Sequence, residues 1–435
     1  MEVEFDIPES WQKRRIRDVG KVVTGRTPST KHKDFYGGDY NLISPADLDN
    51  GKYVITAHKR LTLLGFRECR ALPKDTVLVG CIGNIGKVGM VSDDRSATNQ
   101  QINAVICNQN NDSHFIYYYL YGSRSRLERA ADKTTVPILN KTNFENFEIA
   151  VPPLPEQRKI AAVLGTVQRA IEQQERLLQL TAELKKTLLH QLFTQGLRGE
   201  PQKQTEIGPV PESWEVVPLS DCAVVQTGVA KGRKLDGKDT LTLPYLRVAN
   251  VQSGYLDLSE MKTTTIQAKE KARYSLQKGD VVLTEGGDFD KLGRGFIWKG
   301  EVEDCVHQNH IFVVRVDRLR VLPEFFAHLS QSPYGKAYFL SVAHKTTNLA
   351  CINTTKLKGF PVLIPSLHEQ REIVDLLEAV DAKIFLHECK KQSLTDLFRT
   401  LLHQLMTAQI RVHGLDLSVL GTIDFGRDES NRKKI

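Results

Sequence analysis

A glycine-rich stretch, GCIGNIGKVG at residues 80–89, combines residue types and spacing that could bind a phosphate. A loop that wraps nucleotide phosphates needs G-x-x-x-x-G-K followed by Ser or Thr. Here Gly86-Lys87 is followed by Val88, and a cysteine stands second in the stretch. Glycines at steps of three are more typical of a tight turn between strands. We therefore predict such a turn, with Lys87 at its tip within reach of a phosphate.

Two enzyme classes that act on DNA have their own motifs. A methyltransferase that modifies a base amine needs Asn/Asp-Pro-Pro-Tyr/Phe, whereas QSPYG (331–335) has a single proline. The E-x-K of nucleases occurs in SEMK (259–262), but also in AELKK (182–186) inside an apolar-periodic helix, so chance explains both. No nucleophile–base pair and no metal-ligand spacing stands out. The sequence predicts no catalytic, cofactor or metal site.

Cysteine usage and hydropathy indicate the cellular compartment. Seven scattered cysteines include no C-x-x-C pair, which favours buried thiols in a reducing cytoplasm over disulfides or zinc. No run of about 18 apolar residues is present. The N-terminal MEVEFDIPES is acidic and lacks the apolar core of a secretion signal. We expect a cytoplasmic protein.

The net charge of +7 permits a nucleic-acid partner without requiring one. Residues 1–150 carry 21 basic and 18 acidic groups, and residues 151–204 carry 8 and 5. Residues 205–355 carry 18 of each, and residues 356–435 carry 12 and 11. Since no segment is a polybasic arm, any DNA-binding charge must be sorted onto one face by the fold.

The sequence segments that must position these residues occur twice in the chain. IPESW at 7–11 returns as VPESW at 210–214, an offset of 203. Further on, PPLPEQRKI from Pro152 returns as PSLHEQREI from Pro365, an offset of 213. Between them, LPKDTVLV resembles LQKGDVVL, NQQINAVI resembles HQNHIFVV, and KTTVPILNKTNF resembles KTTNLACINTTK. Each copy is domain-sized, which indicates duplication rather than a solenoid of small repeats.

Each copy begins with a mixed globular segment. Short apolar runs separated by Gly, Asn and Asp predict strands at TVLVGCIG, KVGMV and QINAVI, and again at DVVLT, GFIW and HIFVVRV. Residues 115–131 and 323–343 read as helical. We predict an α+β segment with a mainly antiparallel sheet.

A long helix follows each segment. The first starts at Pro155-Glu156, a helix-start signal, and runs to about Thr194, roughly 58 Å at 1.5 Å per residue. Matched apolar pairs at offset 213 are Ile160/Ile373, Leu164/Leu377, Val167/Val380, Ile171/Ile384, Leu184/Leu397, Leu188/Leu401 and Leu192/Leu405. Such a stripe suits burial against another helix. We predict that the two helices pack antiparallel about a pseudo-two-fold axis and separate two heads as a rigid spacer.

These motifs resemble a known family. PPLPEQRKIAAVL, PSLHEQREIVDLL, CIGNIGKVG and KTTVPILN are similar to the DNA specificity subunit of type I restriction–modification enzymes. The resemblance implies target-recognition domains at 1–150 and 205–363, a spacer helix and linker at 151–204, a second spacer helix at 364–410 and a tail at 411–435. It implies a non-catalytic, DNA-binding subunit whose two heads each read half of a split site. The helices would set the gap and dock two methylation subunits, which carry S-adenosylmethionine. A motor–nuclease subunit would use ATP and magnesium.

Basic residues in the heads are the candidates for touching double-stranded DNA, because Lys and Arg reach phosphates and Arg also reads guanine edges. In the first head they are Arg26, Lys31, Lys33, Lys87, Arg124 and Lys133. In the second head they are Lys231, Arg233, Lys234, Lys291, Arg294 and Lys345. Two alternatives are a single chain that cuts or methylates DNA itself and a coiled-coil scaffold with no DNA role.

Overall fold

The computed structural model describes residues 7–49, 51–132, 135–230, 232, 235, 239–289, 291–345, 350–412 and 414. Two compact units divide the chain: residues 1–176 together with 388–435 form unit 1, and residues 177–387 form unit 2. Each unit therefore takes one half of each long helix. Within the described residues, no helix is both long and apolar enough to cross a membrane.

The elements of the first copy end with the first long helix. Its strands are β1 Gln12–Arg15, β2 Gly20–Thr24, β3 Tyr36–Ile43, β4 Tyr53–Val54, β5 Lys59–Leu61, β6 Val77–Gly80, β7 Val88–Val91, β8 Ser96–Thr98, β9 Ile102–Cys107 and β10 Glu148–Val151. Its helices are α1 Ile16–Val19, α2 Leu63–Arg67, α3 Ser113–Gly122, α4 Arg124–Arg129, α5 Lys141–Glu145 and α6 Leu154–Gln195.

The described part of the second copy has a similar order, with four more strands and one helix fewer. Its strands are β11 Gln202–Gln204, β12 Pro209–Pro211, β13 Glu215–Pro218, β14 Ala223–Thr227, β15 Thr240–Leu246, β16 Lys262–Gln267, β17 Val281–Thr284, β18 Gly286–Gly287, β19 Gly295–Ile297, β20 Val306–His307, β21 Ile311–Val316, β22 His344–Lys345, β23 Ala350–Cys351 and β24 Pro361–Ile364. Its helices are α7 Lys271–Tyr274, α8 Pro323–Gln331, α9 Pro333–Val342, α10 Thr354–Lys358 and α11 Leu367–Met406.

The sheets are mainly antiparallel, as predicted. Unit 1 has a five-stranded sheet in the order β2-β9-β6-β7-β4 and a three-stranded sheet β5-β3-β8. Unit 2 has the matching sheets β14-β21-β17-β19 and β16-β15-β20. Parallel pairing occurs between β3 and β8, between β4 and β7, and between β15 and β20. The buried, valine-rich strands β6 and β17 lie at the centre of this arrangement.

Hydrogen-bond register shows that the two copies share one fold. Thr24 faces Asn103 in the β2–β9 pair, and Thr227 faces Phe312 in the β14–β21 pair. The first member of each pair is offset by 203 and the second by 209. The chain is therefore internally duplicated, with a small insertion between the two strands of the second copy.

In unit 1 the first half of α6 packs on the last half of α11. Ile160 and Leu164 share a buried core with Leu402 and Leu405. Near the far end of the same contact, Lys391 Nζ lies 2.8 Å from a carboxylate oxygen of Glu175. Residue numbers rise along one helix as they fall along the other, so the two halves run antiparallel.

Unit 2 contains the complementary helix halves. Leu192 and Phe193 near the end of α6 share a core with Ile373 near the start of α11. Lys185 Nζ lies 2.5 Å from a carboxylate oxygen of Asp381. The prediction of antiparallel long helices is confirmed within each unit, while the separation of the heads by these helices stays a prediction.

The apolar stripe is only partly buried. The outer pairs Ile160/Ile373 and Leu164/Leu377 are at most 1% exposed. Leu184 and Leu397, which we expected to be covered in the same way, are 50% and 45% exposed. The period of the stripe places each residue on the apolar face of its own helix, but the described residues cover only about half of each side chain.

The repeated Glu-Gln-Arg motif has a structural role at each helix entry. The Gln157 side-chain amide donates to the Pro152 carbonyl oxygen at 2.9 Å, and its oxygen accepts from the backbone N–H of Asp112 at 2.8 Å. Gln370 makes the same bonds to the Pro365 carbonyl (3.0 Å) and the Leu322 N–H (2.8 Å). Both glutamines are fully buried, so each fixes the angle at which a long helix leaves its head.

Candidate DNA interface

Three turns of unit 1 meet at one end of its main sheet, and we call residues 24–28, 80–87 and 98–101 the loop edge of unit 1. The Arg26 N–H donates to the Thr98 carbonyl oxygen at 2.9 Å. The Cys81 N–H donates to the Gln101 carbonyl at 2.8 Å. These backbone bonds tie the three turns into one surface.

Gly25 allows two of these turns to approach closely. A Cβ atom at this position would lie 2.1 Å from the Asn99 carbonyl oxygen, so any other residue would clash. Next to it, the Thr27 hydroxyl donates to the Gln100 side-chain oxygen at 2.7 Å. Gln100 is exposed, and no residue in the described part of the chain accepts from its side-chain amide.

The glycine-rich stretch forms the predicted strand turn. It joins the antiparallel strands β6 and β7, and the Gly80 N–H donates to the Lys87 carbonyl at 2.8 Å. Gly83 and Gly86 have φ of +74° and +75°, which side chains adopt only with strain. The turn is therefore built by backbone geometry rather than as a phosphate loop.

The loop edge of unit 2, residues 227–229, 284–289 and 307–310, has the same frame. A Cβ on Gly228 would lie 2.0 Å from the His307 carbonyl oxygen. The Val229 N–H donates to that oxygen at 2.7 Å. The Thr284 N–H donates to the Arg294 carbonyl at 2.9 Å, so Arg294 occupies the position that Lys87 has in unit 1.

The predicted DNA-binding residues of unit 1 fall into two groups. Arg26, Lys31 and Lys33 are exposed on and just after the first turn of the loop edge. Lys87 lies at the end of the second turn, next to strand β7, rather than at its tip as predicted, because its carbonyl oxygen accepts from the Gly80 N–H. It forms no ion pair among the described residues. Arg124 lies at the start of α4, with guanidinium nitrogens 3.6 Å from Asp49 and 3.3 Å from Glu128, so much of its charge is already paired.

In unit 2 two of the predicted residues are engaged within the protein. Lys291 pairs with Asp288, and Arg294 donates to the Gln252 side chain and the Val248 carbonyl, both at 3.3 Å. Lys345 is exposed on the short strand β22. Lys133, Lys231, Arg233 and Lys234 lie outside the described residues.

Arg70 was missed by sequence reasoning. Its guanidinium donates to the Thr24 carbonyl oxygen at 2.7 Å, which brings an exposed positive charge to the loop edge of unit 1. Arg70 is far from the turn in sequence and lies beside no glycine or threonine, so no local signal marked it. Among the described residues, no group of His, Cys, Asp and Glu is arranged to hold a metal ion.

Comparison with known proteins fits this duplicated arrangement. The model of the family described as "Type I restriction modification DNA specificity domain" matches residues 8–182 and again residues 211–396. The chain therefore belongs to the type I restriction–modification DNA specificity family, with two such domains in tandem.

Relatives that cover nearly the whole chain are named as specificity subunits. The chain is 26% identical to the type I restriction enzyme MjaVIII specificity subunit of Methanocaldococcus jannaschii over 94% of this chain and 95% of that protein. It is 25% identical to the MjaIX specificity subunit of the same organism, with the same coverage. The fold is similar to the S subunit of the M. genitalium type I restriction–modification system, with a TM-score of 0.54, 18% identity, and coverage of 93% of this chain and 98% of that chain.

Proposed function

We propose that this chain is the non-catalytic, DNA-reading subunit of a type I restriction–modification complex, and that each loop edge reads one half of a two-part DNA site. The observation that supports this most directly is that one backbone frame is built twice with unequal side chains. Lys87 and Arg294 hold one position, each closing its turn through a backbone bond. Two similar but unequal surfaces fit two unlike half-sites.

Basic residues on the loop edges would position the DNA backbone. Removing one phosphate contact weakens binding to all sequences alike and lowers the slope of log affinity against log salt by about one. We expect Lys87→Ala to have this effect. Lys21, exposed on β2 and outside the loop edge, supplies the matched control, because Lys21→Ala should leave the slope unchanged.

Exposed apolar side chains on the long helices, one of them from the apolar stripe, support a docking role for these helices. In unit 2, Leu177, Leu180 and Leu184 on α6 are 39%, 47% and 50% exposed, and Phe385 on α11 is 66% exposed. Contiguous exposed apolar side chains mark contact sites for other proteins. We propose that two methylation subunits, which bring S-adenosylmethionine, dock on the helices. A motor–nuclease subunit that uses ATP and magnesium would join the assembly.

Exchange of one head tests the proposal. Residues 1–150 are replaced by the corresponding head of another family member, the complex is assembled with methylation subunits, and methylated sites are mapped. We expect one half-site to change and the other to remain, with the reverse result when residues 205–363 are exchanged. A change in both half-sites, or in neither, would contradict the proposal.

The alternative of a single-chain DNA-modifying enzyme makes a different prediction. The pure chain, incubated with DNA and a labelled methyl donor, should transfer no methyl group and cut no DNA until partner subunits are added. The names of the two relatives, both specificity subunits, favour this outcome. Activity of the pure chain in a single turnover would favour the alternative.

A further inference from the structure

The loop edge of unit 2 carries a histidine–carboxylate pair. His310 Nδ1 lies 2.6 Å from Glu285 Oε2, and the His310 side chain is 57% exposed. The Glu285 side chain is 32% exposed. The pair is also braced through the main chain, because the Glu285 N–H donates to the His310 carbonyl at 3.0 Å. A held carboxylate at this place is unlike the basic residues expected at a DNA-binding surface.

The same two positions in unit 1 are occupied by Cys81 and Gln101. The Cys81 N–H donates to the Gln101 carbonyl at 2.8 Å, which is the bond that Glu285 makes to His310. The carbonyls match as well: Cys81 accepts from the Leu139 N–H at 2.8 Å, and Glu285 accepts from the Ile352 N–H at 2.9 Å. The two heads therefore share the backbone at this point and differ in its chemistry.

The hydrogen bonds of the pair define what it can offer to a ligand. Since a carboxylate accepts only, His310 Nδ1 carries the proton that it donates to Glu285. The other ring nitrogen, Nε2, lies 3.4 Å from the Asn309 amide nitrogen, which is a donor. Asn309, His310 and Glu285 thus form a directed chain that ends on the carboxylate, and its second oxygen keeps the capacity to accept a further hydrogen bond.

We propose that Glu285, oriented by His310, is the base-reading residue of unit 2 and accepts a hydrogen bond from the N4 amino group of a cytosine in the major groove. This inference rests on the proposed function. Carboxylates recognise cytosine through N4, whereas the amino group of adenine lies beside N7, an acceptor that repels a carboxylate. An acceptor-only group near phosphates costs free energy unless it meets a donor, which gives Glu285 a reason to discriminate between bases. His310 is then a positioning residue.

The test uses the full chain assembled with its methylation subunits, and a pool of DNA duplexes with randomised half-sites from which bound sequences are recovered. With the unsubstituted chain we expect cytosine at one position of the half-site read by unit 2. Glu285→Gln adds donors to the acceptor, so the preference for cytosine at that position should fall by about tenfold or more, with the other half-site unchanged. Recovery of the same preference from the variant would overturn the inference.

Glu301→Gln is the matched control. Glu301 follows Gly300, which lies beside Lys278 at the other end of β17. The Glu301 carboxylate accepts a hydrogen bond from the Lys299 N–H, and a glutamine side-chain oxygen can accept the same bond. The base preferences of the Glu301→Gln variant should equal those of the unsubstituted chain. If the unsubstituted chain itself selects no two-part sequence, the proposed function fails, and that result is distinct from a failure of the assignment to Glu285.

A second variant keeps the test decisive if Glu285→Gln loses binding or folding. A thermal melt would reveal the loss of folding. His310→Leu keeps the carboxylate and removes the ring nitrogen that orients it. We expect the same cytosine preference to weaken, with the melting midpoint close to that of the unsubstituted chain. Full retention of the preference by a folded His310→Leu protein would overturn the positioning role and, with it, the proposed pair.

Discussion

Glu156 and Arg411 form a two-oxygen ion pair across 255 positions of sequence. Arg411 Nε lies 2.7 Å from one carboxylate oxygen of Glu156, and Nη2 lies 2.9 Å from the other. The Glu156 side chain is 5% exposed, and its hydrogen bond raises the pKa of Arg411. Bidentate pairs of this kind are among the strongest polar contacts in proteins. This one ties the start of α6 to the residues that follow α11 within unit 1.

Removing the arginine should destabilise unit 1. Arg411→Met leaves the Glu156 carboxylate buried without its cation, and we expect a loss of about 2 kcal/mol in the free energy of unfolding. Denaturant unfolding followed by hydrogen exchange of unit 1 amides measures the loss. In the control Arg399→Met, the ion pair removed is exposed and longer, at 3.5 Å from Asp396, so the change should stay below about 0.5 kcal/mol. Equal effects of the two substitutions would contradict this account.

Because Lys52 is buried, unit 1 should become more stable as the pH rises through the folded-state pKa of this residue, about 8. It is 9% exposed, its Nζ lies 3.4 Å from the Tyr118 hydroxyl, and burial lowers the pKa of Lys52 to about 8, partly offset by Asp112 and Asp75. Between pH 8 and the unfolded pKa near 10.5, the unfolded chain binds one more proton than the folded chain. Raising the pH therefore favours folding over that range.

The substitution Lys52→Met removes this dependence. We expect the variant to be the more stable protein at pH 7 and the difference to shrink by pH 9.5, as the wild-type lysine loses its proton. Melting midpoints of both proteins at the two pH values provide the measurement. Lys21→Met, at an exposed position, should track the wild type at both. A stability difference between Lys52→Met and the wild type that grows with pH would contradict the predicted direction of the pH dependence.

Most of the architecture could be predicted because local sequence patterns specify its elements and because those patterns occur twice in the chain. Strands β6, β17 and β21 lie within the predicted apolar runs, β9 extends one residue beyond its run, and α6 covers Leu154–Gln195 against a predicted end near Thr194. The sequence match between NQQINAVI and HQNHIFVV, however, pairs residues at an offset of 208. The hydrogen-bond registers of β9 and β21 instead make residues at an offset of 209 equivalent. Sequence similarity alone does not set strand register, and a shift of one residue exchanges the two faces of a strand.

The parts that could not be predicted depend on contacts distant in sequence. Nothing near Arg411 marks Glu156 as its partner, and nothing near Arg70 places it beside Thr24. The apolar stripe showed which helix face is hydrophobic but not how much of it the chain covers, so Leu184 was expected to be buried. The proposed base-reading positions are weakly marked in the sequence, because the two heads share a backbone frame there and differ in side chains.

Charging the exposed leucines of α6 should weaken assembly without unfolding the chain. We expect Leu180→Glu combined with Leu184→Glu to reduce the affinity for methylation subunits by tenfold or more, because an apolar contact would have to bury two carboxylates. Leu319→Glu is the control, since Leu319 is 85% exposed and lies in a loop of the same unit. Titration of the subunits against each variant gives the affinity. Undiminished assembly by the double variant would exclude this face as the docking site.

The last prediction treats α6 as a ruler between half-sites. Thr181-Ala182-Glu183-Leu184 is an uninterrupted stretch of α6, and its duplication lengthens the helix by about 6 Å and turns it through about 400°. The apolar stripe is then only some 40° out of register, so packing on α11 should survive. With base pairs about 3.4 Å apart, the complex should recognise the same half-sites with a gap longer by one or two base pairs. A two-residue insertion turns the stripe by about 200° and should instead damage assembly. Mapping methylated sites for both variants checks the prediction, and full activity at the original gap after the four-residue duplication would show that the helices do not set it.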